Sequence, residues 1–268
     1  MSSHAAEVDS GERFEFGENW SRFLGGLTEE RILGAVRSLK EMLGVESLEG
    51  KTFLDAGSGS GLFSLAAIRL SASVHSFDFD PASVRCTRRV KELHCPDFDR
   101  WVIGAGSVLD EAFMDALGTF DIVYSWGVLH HTGDMLRAFA NVAPRVSPGG
   151  SLFIAIYNDQ GWISRYWMLV KKCYNRYPVS RPLLVALHAP YLLGVRWLAR
   201  LLTGRLAIER GMTMWYDMID WLGGYPFEAA KPETVLRYFR EHGFQLTELT
   251  TCGGRMGCNE FVFKREED

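Results

Sequence analysis

A chain of 268 residues with 47% hydrophobic side chains has room for one large α/β domain, or for a domain carrying an insertion, and must bury a substantial core. Its formal charge of −4, without a block of like charges, argues against a duplex-binding surface built on phosphate contacts, so no nucleic-acid partner is expected. The five cysteines include no C-x-x-C and the seven histidines lack paired ligand spacing, which supports neither a disulfide framework nor a metal site.

The N-terminal stretch MSSHAAEVDSGE is polar and acidic, with no basic n-region or apolar h-region, and together with free thiols this predicts a cytoplasmic protein. RFEFGENWSRFL then packs aromatics into a short span ahead of a helix over Glu29 to Leu43. Residues 1–50 are read as an arm and helix over a ligand site, with Trp20 or Arg22 reaching in, or as a simple hydrophobic anchor.

From Thr52 to Tyr157 short apolar runs alternate with helical segments. TFLDA, SVHSFDFD, RWVIGAG, FDIVYSW and SLFIAIYN read as strands, separated by helices over Leu62 to Leu70, Pro81 to Leu93, Asp110 to Leu117 and Asp134 to Val146. Such alternation predicts a parallel sheet covered on both faces. Residues 161–224 break the rhythm and are predicted to be a helical insertion. Within it, Leu183 to Leu202 is interrupted by His188, Pro190, Arg196 and Arg200, so it does not span a membrane. Its apolar face with Arg181, Arg196, Arg200 and Arg205 fits either a lid helix packed on the sheet domain or a peripheral contact with an anionic membrane or greasy substrate. KPETVLRYFREHG returns to helix, with Pro232 at its start and Gly243 at its end, and FQLTELT and CNEFVFK form a terminal hairpin. The divisions are thus 1–50, a ligand-binding core over 51–160, a lid over 161–224 and a closing helix and hairpin over 225–268.

Asp55-Ala56-Gly57-Ser58-Gly59-Ser60-Gly61 follows the first strand and opens a helix, so its backbone can approach a ligand at the carboxyl edge of the sheet. Leu62 stands where the dinucleotide pattern G-x-G-x-x-G needs its last glycine, and no Gly-Lys-Ser/Thr follows. An acid at Asp55 suits an ammonium, Asp78 lies where a ribose diol is held, and Phe79 can cover an adenine. Ribose, adenine and ammonium without pyrophosphate describe S-adenosylmethionine.

FLDAGSGSG, VHSFDFDP, FDIVYSWGVLHH and VSPGGSLFIAIYN, in this order, resemble the motifs of the class I S-adenosylmethionine-dependent methyltransferases. The resemblance runs from about Lys51 to Asn158 and takes in the hairpin. It implies an α/β, Rossmann-like seven-stranded sheet, with a parallel core and a C-terminal antiparallel hairpin, flanked by helices and carrying a helical lid. It further implies that Asp55, Gly57, Ser58 and Gly59 hold the methionine half, Asp78 the ribose, Phe79 the adenine face, and Ser107 and Val108 the adenine edge, with Ser125 and Trp126 completing the set. S-adenosylhomocysteine would be the product. Many members carry Asp at the position of Ser107, so a backbone contact or Asp110 would have to replace that carboxylate.

Methyl transfer asks the protein to hold a nucleophile close, take its proton where needed and exclude water. His131 matches a histidine of many small-molecule members; with a near-neutral pKa it would deprotonate an acceptor, and otherwise it bonds a loop carbonyl. His130, its neighbour, is expected to face elsewhere. Tyr157 and Asn158 end the fifth strand as orienting donors or as a turn, while Arg210 and Asp217 in the lid are candidates to orient the acceptor or act as base. The leading expectation is methylation of a small molecule, at the oxygen of a phenol, quinol or specialised metabolite, by a monomer or homodimer. N- or carboxyl-methylation of an amine or peptide, and a non-catalytic cofactor-binding module, are the alternatives.

Overall fold

The computed structural model describes residues 3–17, 27–203 and 214–267. Its helices and strands are α1 (His4–Asp9), α2 (Glu29–Leu43), β1 (Thr52–Ala56), α3 (Leu62–Arg69), β2 (Ser73–Asp78), α4 (Pro81–His94), β3 (Trp101–Ala105), α5 (Glu111–Ala116), β4 (Phe120–Trp126), α6 (Met135–Val142) and β5 (Val146–Tyr157), followed by α7 (Trp162–Arg176), α8 (Arg181–Thr203), α9 (Met214–Gly223), α10 (Pro232–Glu241), β6 (Phe244–Thr250) and β7 (Cys258–Arg265). One seven-stranded sheet runs in the order β3-β2-β1-β4-β5-β7-β6. β1 to β5 pair in parallel, and β7 enters antiparallel between β5 and β6.

Strand periodicity divides the core into two layers. Leu54, Val123, Ile154, Phe261 and Phe263 face α6 and α10 through Phe139, Val235 and Phe239. Phe53, Ile122, Phe153 and Val262 turn the other way, toward Ile32, Ala35 and Leu39 of α2 and Leu65 of α3. The ends of the helices are set by local chemistry. Asp80 caps α4 by accepting from Ala82 N, with Pro81 in its first turn, and Asp134 caps α6 by accepting from Arg137 N.

One boundary differs from expectation. The helix predicted to run to Val146 stops at Val142, a 3-10 turn over Ala143–Arg145 follows, and β5 starts at Val146 rather than Ser151. Pro144 lacks the amide N–H that another helical turn would use, and Val146 pairs with Phe120 across a register shift in β4. The lid is a helical layer of its own: Trp167, Val170 and Tyr174 of α7, Leu192 of α8 and Met218 and Leu222 of α9 share one apolar cluster with Phe227.

Behind the glycine turn, a buried hydrogen-bond chain ties three elements together. Trp101 Nε1 donates to Ser76 Oγ at 2.8 Å, Ser76 and Ser64 hydroxyls lie 2.7 Å apart, and Ser64 Oγ donates to Asp55 Oδ2 at 2.5 Å. An indole N–H only donates, and Ser64 spends its proton on Asp55, so the Ser76 proton must point to Ser64. Ser76→Ala breaks both links and strands a buried indole N–H; a loss of about 1–3 kcal/mol is expected in denaturant unfolding. Trp101→Phe made on the Ser76→Ala background should cost less than in the wild type, which a double-mutant cycle will measure.

Candidate active site

The turn between β1 and α3 can be only glycine where it is tightest. Gly57 has φ 89°, and a Cβ there would lie 2.5 Å from Val128 side-chain carbons; Gly61 has φ 78°, and its Cβ would press Thr87 at 3.0 Å. The end of β2 pins the turn from the side: Gly57 N and Ser58 N donate to the Phe77 carbonyl at 2.9 and 3.0 Å, and Gly59 N donates to Asp78 Oδ2 at 2.8 Å. Asp78 Oδ1 accepts from Asp80 N at 2.9 Å. Each Asp78 oxygen keeps a second lone pair, so it can still accept from a ligand hydroxyl.

The two acids at these strand ends are short of solvent. Burial pushes the Asp55 carboxyl up from 3.8 to about 7, and the negative charge of Asp78 adds to this against the pull of Ser64. Burial also lifts Asp78, to about 6, with Asp80 pushing the same way and the Arg13 guanidinium, among other groups, opposing. An arrangement that holds two carboxylates above their ordinary range is one that a bound cation relieves.

Phe79 faces the N-terminal arm. The His4 ring meets it edge-on at 5.5 Å and the Arg13 guanidinium lies over it at 4.9 Å, while Gly17 N donates to Asp80 Oδ2 at 2.7 Å. Arg13 Nη1 also donates to the His131 carbonyl at 3.1 Å, which links the β2 end to the β4 end. Trp20 and Arg22 lie outside the described residues. Along the rest of this edge, Ser107 Oγ accepts from Leu109 N, Val108 is buried, and Ser125 Oγ donates to the Ala56 carbonyl at 2.8 Å. Trp126 Nε1 donates to Glu260 Oε1 at 2.9 Å. Asp110 caps α5 by accepting from Phe113 N at 3.1 Å, so one of its oxygens is committed to the helix.

At the ends of β4 and β5 the rings of His130, His131, Tyr157, Trp221 and Phe227 pack together. Tyr157 lies 4.1 Å from His130, 5.4 Å from His131, 5.6 Å from Trp221 and 5.2 Å from Phe227. The expectation that adjacent histidines diverge is corrected: Leu129–His131 is a 3-10 turn, and both rings reach Tyr157. Of the two readings of His131, the bond to a loop carbonyl is present, and the pKa does not lie near neutral. Burial drives it down to about 3, with the Lys171 and Arg13 charges adding, although the Pro226 carbonyl 2.6 Å from Nδ1 opposes this. Since a carbonyl only accepts, Nδ1 carries the proton and the ring is neutral. His130 is lowered well below 6.5 mainly by burial, and its Nε2 has no hydrogen-bond partner among the described residues.

Lys171, overlooked in the sequence, reaches the same cluster from α7. Its ammonium donates to the Trp221 carbonyl and lies 4.3 Å from the Trp221 ring and 5.0 Å from that of Phe227. Burial pulls it down from 10.5 to about 7, against the attraction of Asp220. The signal was there to read: Lys171 and Asn175 stand four apart on the stripe that holds Trp167, Val170 and Tyr174, where a buried polar residue needs a reason. Arg13 carries no such local signal. Arg210 lies outside the described residues, and Asp217 stands on α9 with a side chain that is not described. Asn158 is used structurally, its Oδ1 accepting from Asn259 Nδ2 at 3.1 Å, and Asp159 Oδ1 accepts from Gly161 N at the turn into the lid.

Residues 54–152 match the model of a methyltransferase domain. Over that span the chain is similar to the class I S-adenosylmethionine-dependent methyltransferases. A ubiquinone biosynthesis O-methyltransferase of Xanthomonas campestris pv. campestris (strain B100) is 32% identical over 112 residues, covering 42% of this chain and 45% of that protein. One bearing the same name from Paracidovorax citrulli (strain AAC00-1) is 28% identical over 161 residues, 59% of this chain and 66% of its own. The chain thus spans about half the length of the first of these relatives. The fold is shared more widely: the crystal structure of magnesium protoporphyrin IX methyltransferase from Synechocystis PCC 6803 with bound SAM superposes with a TM-score of 0.58 at 11% identity, over 99% of this chain and 98% of that one.

The raised carboxyl of Asp55 has a consequence for stability. A carboxyl whose folded pKa lies above its unfolded value stabilises the fold fully below the unfolded value, here 3.8, and loses that contribution as pH rises through about 7. Thermal midpoints of wild type relative to Asp55→Asn should therefore fall as pH is raised across this window. A difference independent of pH would show that Asp55 ionises normally.

Proposed function

We propose that this protein transfers the methyl group of S-adenosylmethionine to a small-molecule acceptor, with an oxygen acceptor favoured, and releases S-adenosylhomocysteine. The observation that carries this is the pair of raised acids, Asp55 and Asp78, at the edge of a glycine turn that a Cβ would fill. A sulfonium and an ammonium suit that site better than a pyrophosphate does. Relatives named as O-methyltransferases support oxygen as the receiving atom.

In this reading Asp55, Gly57, Ser58 and Gly59 hold the methionine half, and Asp78 takes the ribose diol on its remaining lone pairs. Phe79, Ser107, Val108, Ser125 and Trp126 bound the adenine end. Residues 161–224 roof the acceptor, and the arm within residues 1–50 closes the cofactor side through His4 and Arg13. The sulfonium supplies an activated carbon, so the chain's own residues have to orient the acceptor, accept its proton and keep water out. His131, neutral with its proton on Nδ1, offers the Nε2 lone pair to an acceptor hydroxyl and orients it. It is too weakly basic at about 3 to keep the proton. Lys171, at about 7, is the group near Tyr157 that can change protonation at neutral pH. Arg210 and Asp217 stay candidates to orient the acceptor. A cytoplasmic location and a partner list without nucleic acid go with this reading, given a net charge of −4 and five cysteines without paired spacing.

Calorimetry with S-adenosylmethionine tests the proposal. Because the cation favours ionised carboxylates, binding should release protons at a pH between 6 and 7, where Asp78 and Asp55 titrate, and the observed enthalpy will then depend on the buffer's own ionisation enthalpy. Well above that window the dependence should vanish. Asp78→Ala should weaken binding by about tenfold or more, the loss of charged hydrogen bonds to the diol. Unchanged affinity in that variant, or no binding to the wild type, would reject the assignment.

A further inference from the structure

Opposite the buried stripe that carries Lys171, the lid shows an apolar face to the outside. On α7, Trp162, Tyr166 and Leu169 recur at helical spacing, and on α8 Leu183, Leu187 and Tyr191 do the same; all six are between 42% and 75% exposed. The two helices are joined across their contact by Tyr166 Oη and His188 Nε2, 2.6 Å apart, so the two stripes lie on neighbouring helices. At the connecting turn Val179 is 90% exposed. The rest of the cluster inside the lid is already satisfied by α9 and Phe227, so the outer face owes nothing to the lid's own packing. An apolar surface this continuous needs a partner.

Charge says which partner. Between Gln160 and Ile208 the sequence contains eight cationic residues and no acid, in a chain whose net charge is −4. The cations are dispersed rather than run together, which is why they do not register as a charge block. Arg165, Lys172, Arg176 and Arg181 are exposed on the same two helices. Apolar and aromatic side chains edged by lysine and arginine, on a stretch of chain that carries no carboxylate of its own, match a bilayer whose headgroups are anionic. A protein partner with an acidic face would meet the cations but not the breadth of exposed leucine and aromatic rings. Among the described residues no helix is long and apolar enough to cross a membrane.

We propose that the outer face of the α7–α8 hairpin docks on an anionic lipid bilayer, lying on it with Trp162, Leu183 and Leu187 in the headgroup boundary and the cationic side chains on the lipid phosphates. Docking stands apart from the methyl-transfer reading, because its measurement needs neither cofactor nor turnover.

Co-sedimentation of the full chain with vesicles of phosphatidylcholine alone, and of phosphatidylcholine mixed with phosphatidylglycerol, tests it. The protein should partition onto the mixed vesicles, far less onto the neutral ones, and less again at high salt, which screens the cations. Leu187→Glu should lower the partition at least about tenfold through lost apolar burial and added negative charge. Lys172→Ala and Arg165→Ala should each lower it about fivefold. Circular dichroism and the thermal midpoint check that each variant is folded, and because these side chains are exposed none should unfold. Three outcomes overturn the proposal: a folded wild type that ignores anionic vesicles, a folded Leu187→Glu that binds as the wild type does, or a wild-type dimer that Leu187→Glu dissolves while vesicles are left unbound. The last would assign the face to a second copy of the chain.

Discussion

A carboxylate at the end of a central strand, cut off from water, has to be given donors by the fold, and Asp55 is that group. β1 lies inside the sheet with β2 and β4 on either side, so neither edge is open to solvent. The donor is the Ser64 hydroxyl, itself fed by Ser76 and the Trp101 indole, and the demand of one acid thereby fixes α3 against β2 and β3. The hydroxyl and backbone of Ser64 do not replace hydration, and the carboxyl remains easy to protonate. Asp78 repeats the arrangement one strand over, where its two oxygens hold the glycine turn and the turn into α4. The cofactor edge is therefore rigid in backbone while its charges stay incompletely compensated, which is the condition under which a cationic ligand gains most from binding.

The ends of β4 and β5 follow a different plan. Aromatic rings pack together there, and two neutral histidines are wedged among them. Lys171 is the sole cation brought into that packing among the described residues, held by a backbone carbonyl and two ring faces rather than by a hydrogen-bonded carboxylate. The arm completes the enclosure. Phe14 presses on Gly223, where a side chain would collide with its ring, Phe16 lies beside Gly224, and Arg13 spans from Phe79 to the His131 carbonyl. The ends of β2 and β4 are thus spanned by one strap.

The lid meets two environments at once. Its inner stripe must be dry to pack on Phe227 and Trp221, while its outer stripe is apolar as well, and a helix hydrophobic on both sides has to find an apolar medium for each. Such helices normally sit inside a larger core or within a membrane. Here Arg165, Lys172, Arg176 and Arg181 stand exposed on the two helices that carry the outer stripe, which is the charge that the proposed bilayer contact uses.

Much of this was legible residue by residue. Alternation of runs located the strands, Pro232 and Gly243 bracketed α10, and the bounds of α2 from Glu29 to Leu43 followed from spacing, because each of these signals is carried by neighbours in the chain. The glycine turn and the acids at the two strand ends were legible for the same reason. Less legible were the properties that depend on residues far apart: the partner of the His131 Nδ1 proton is Pro226, 95 residues away, and the low pKa of the ring comes from burial. The Ser64, Ser76 and Trp101 chain was invisible because serine and tryptophan announce no partner until the sheet brings them together. Sequence alone determined the order of elements and the place of the glycine turn and its two acids at the carboxyl edge of the sheet, since local propensity and turn chemistry decide these. Tertiary structure alone decided which groups are charged and which way each proton points, because desolvation and hydrogen bonding are imposed by neighbours that only the folded chain supplies.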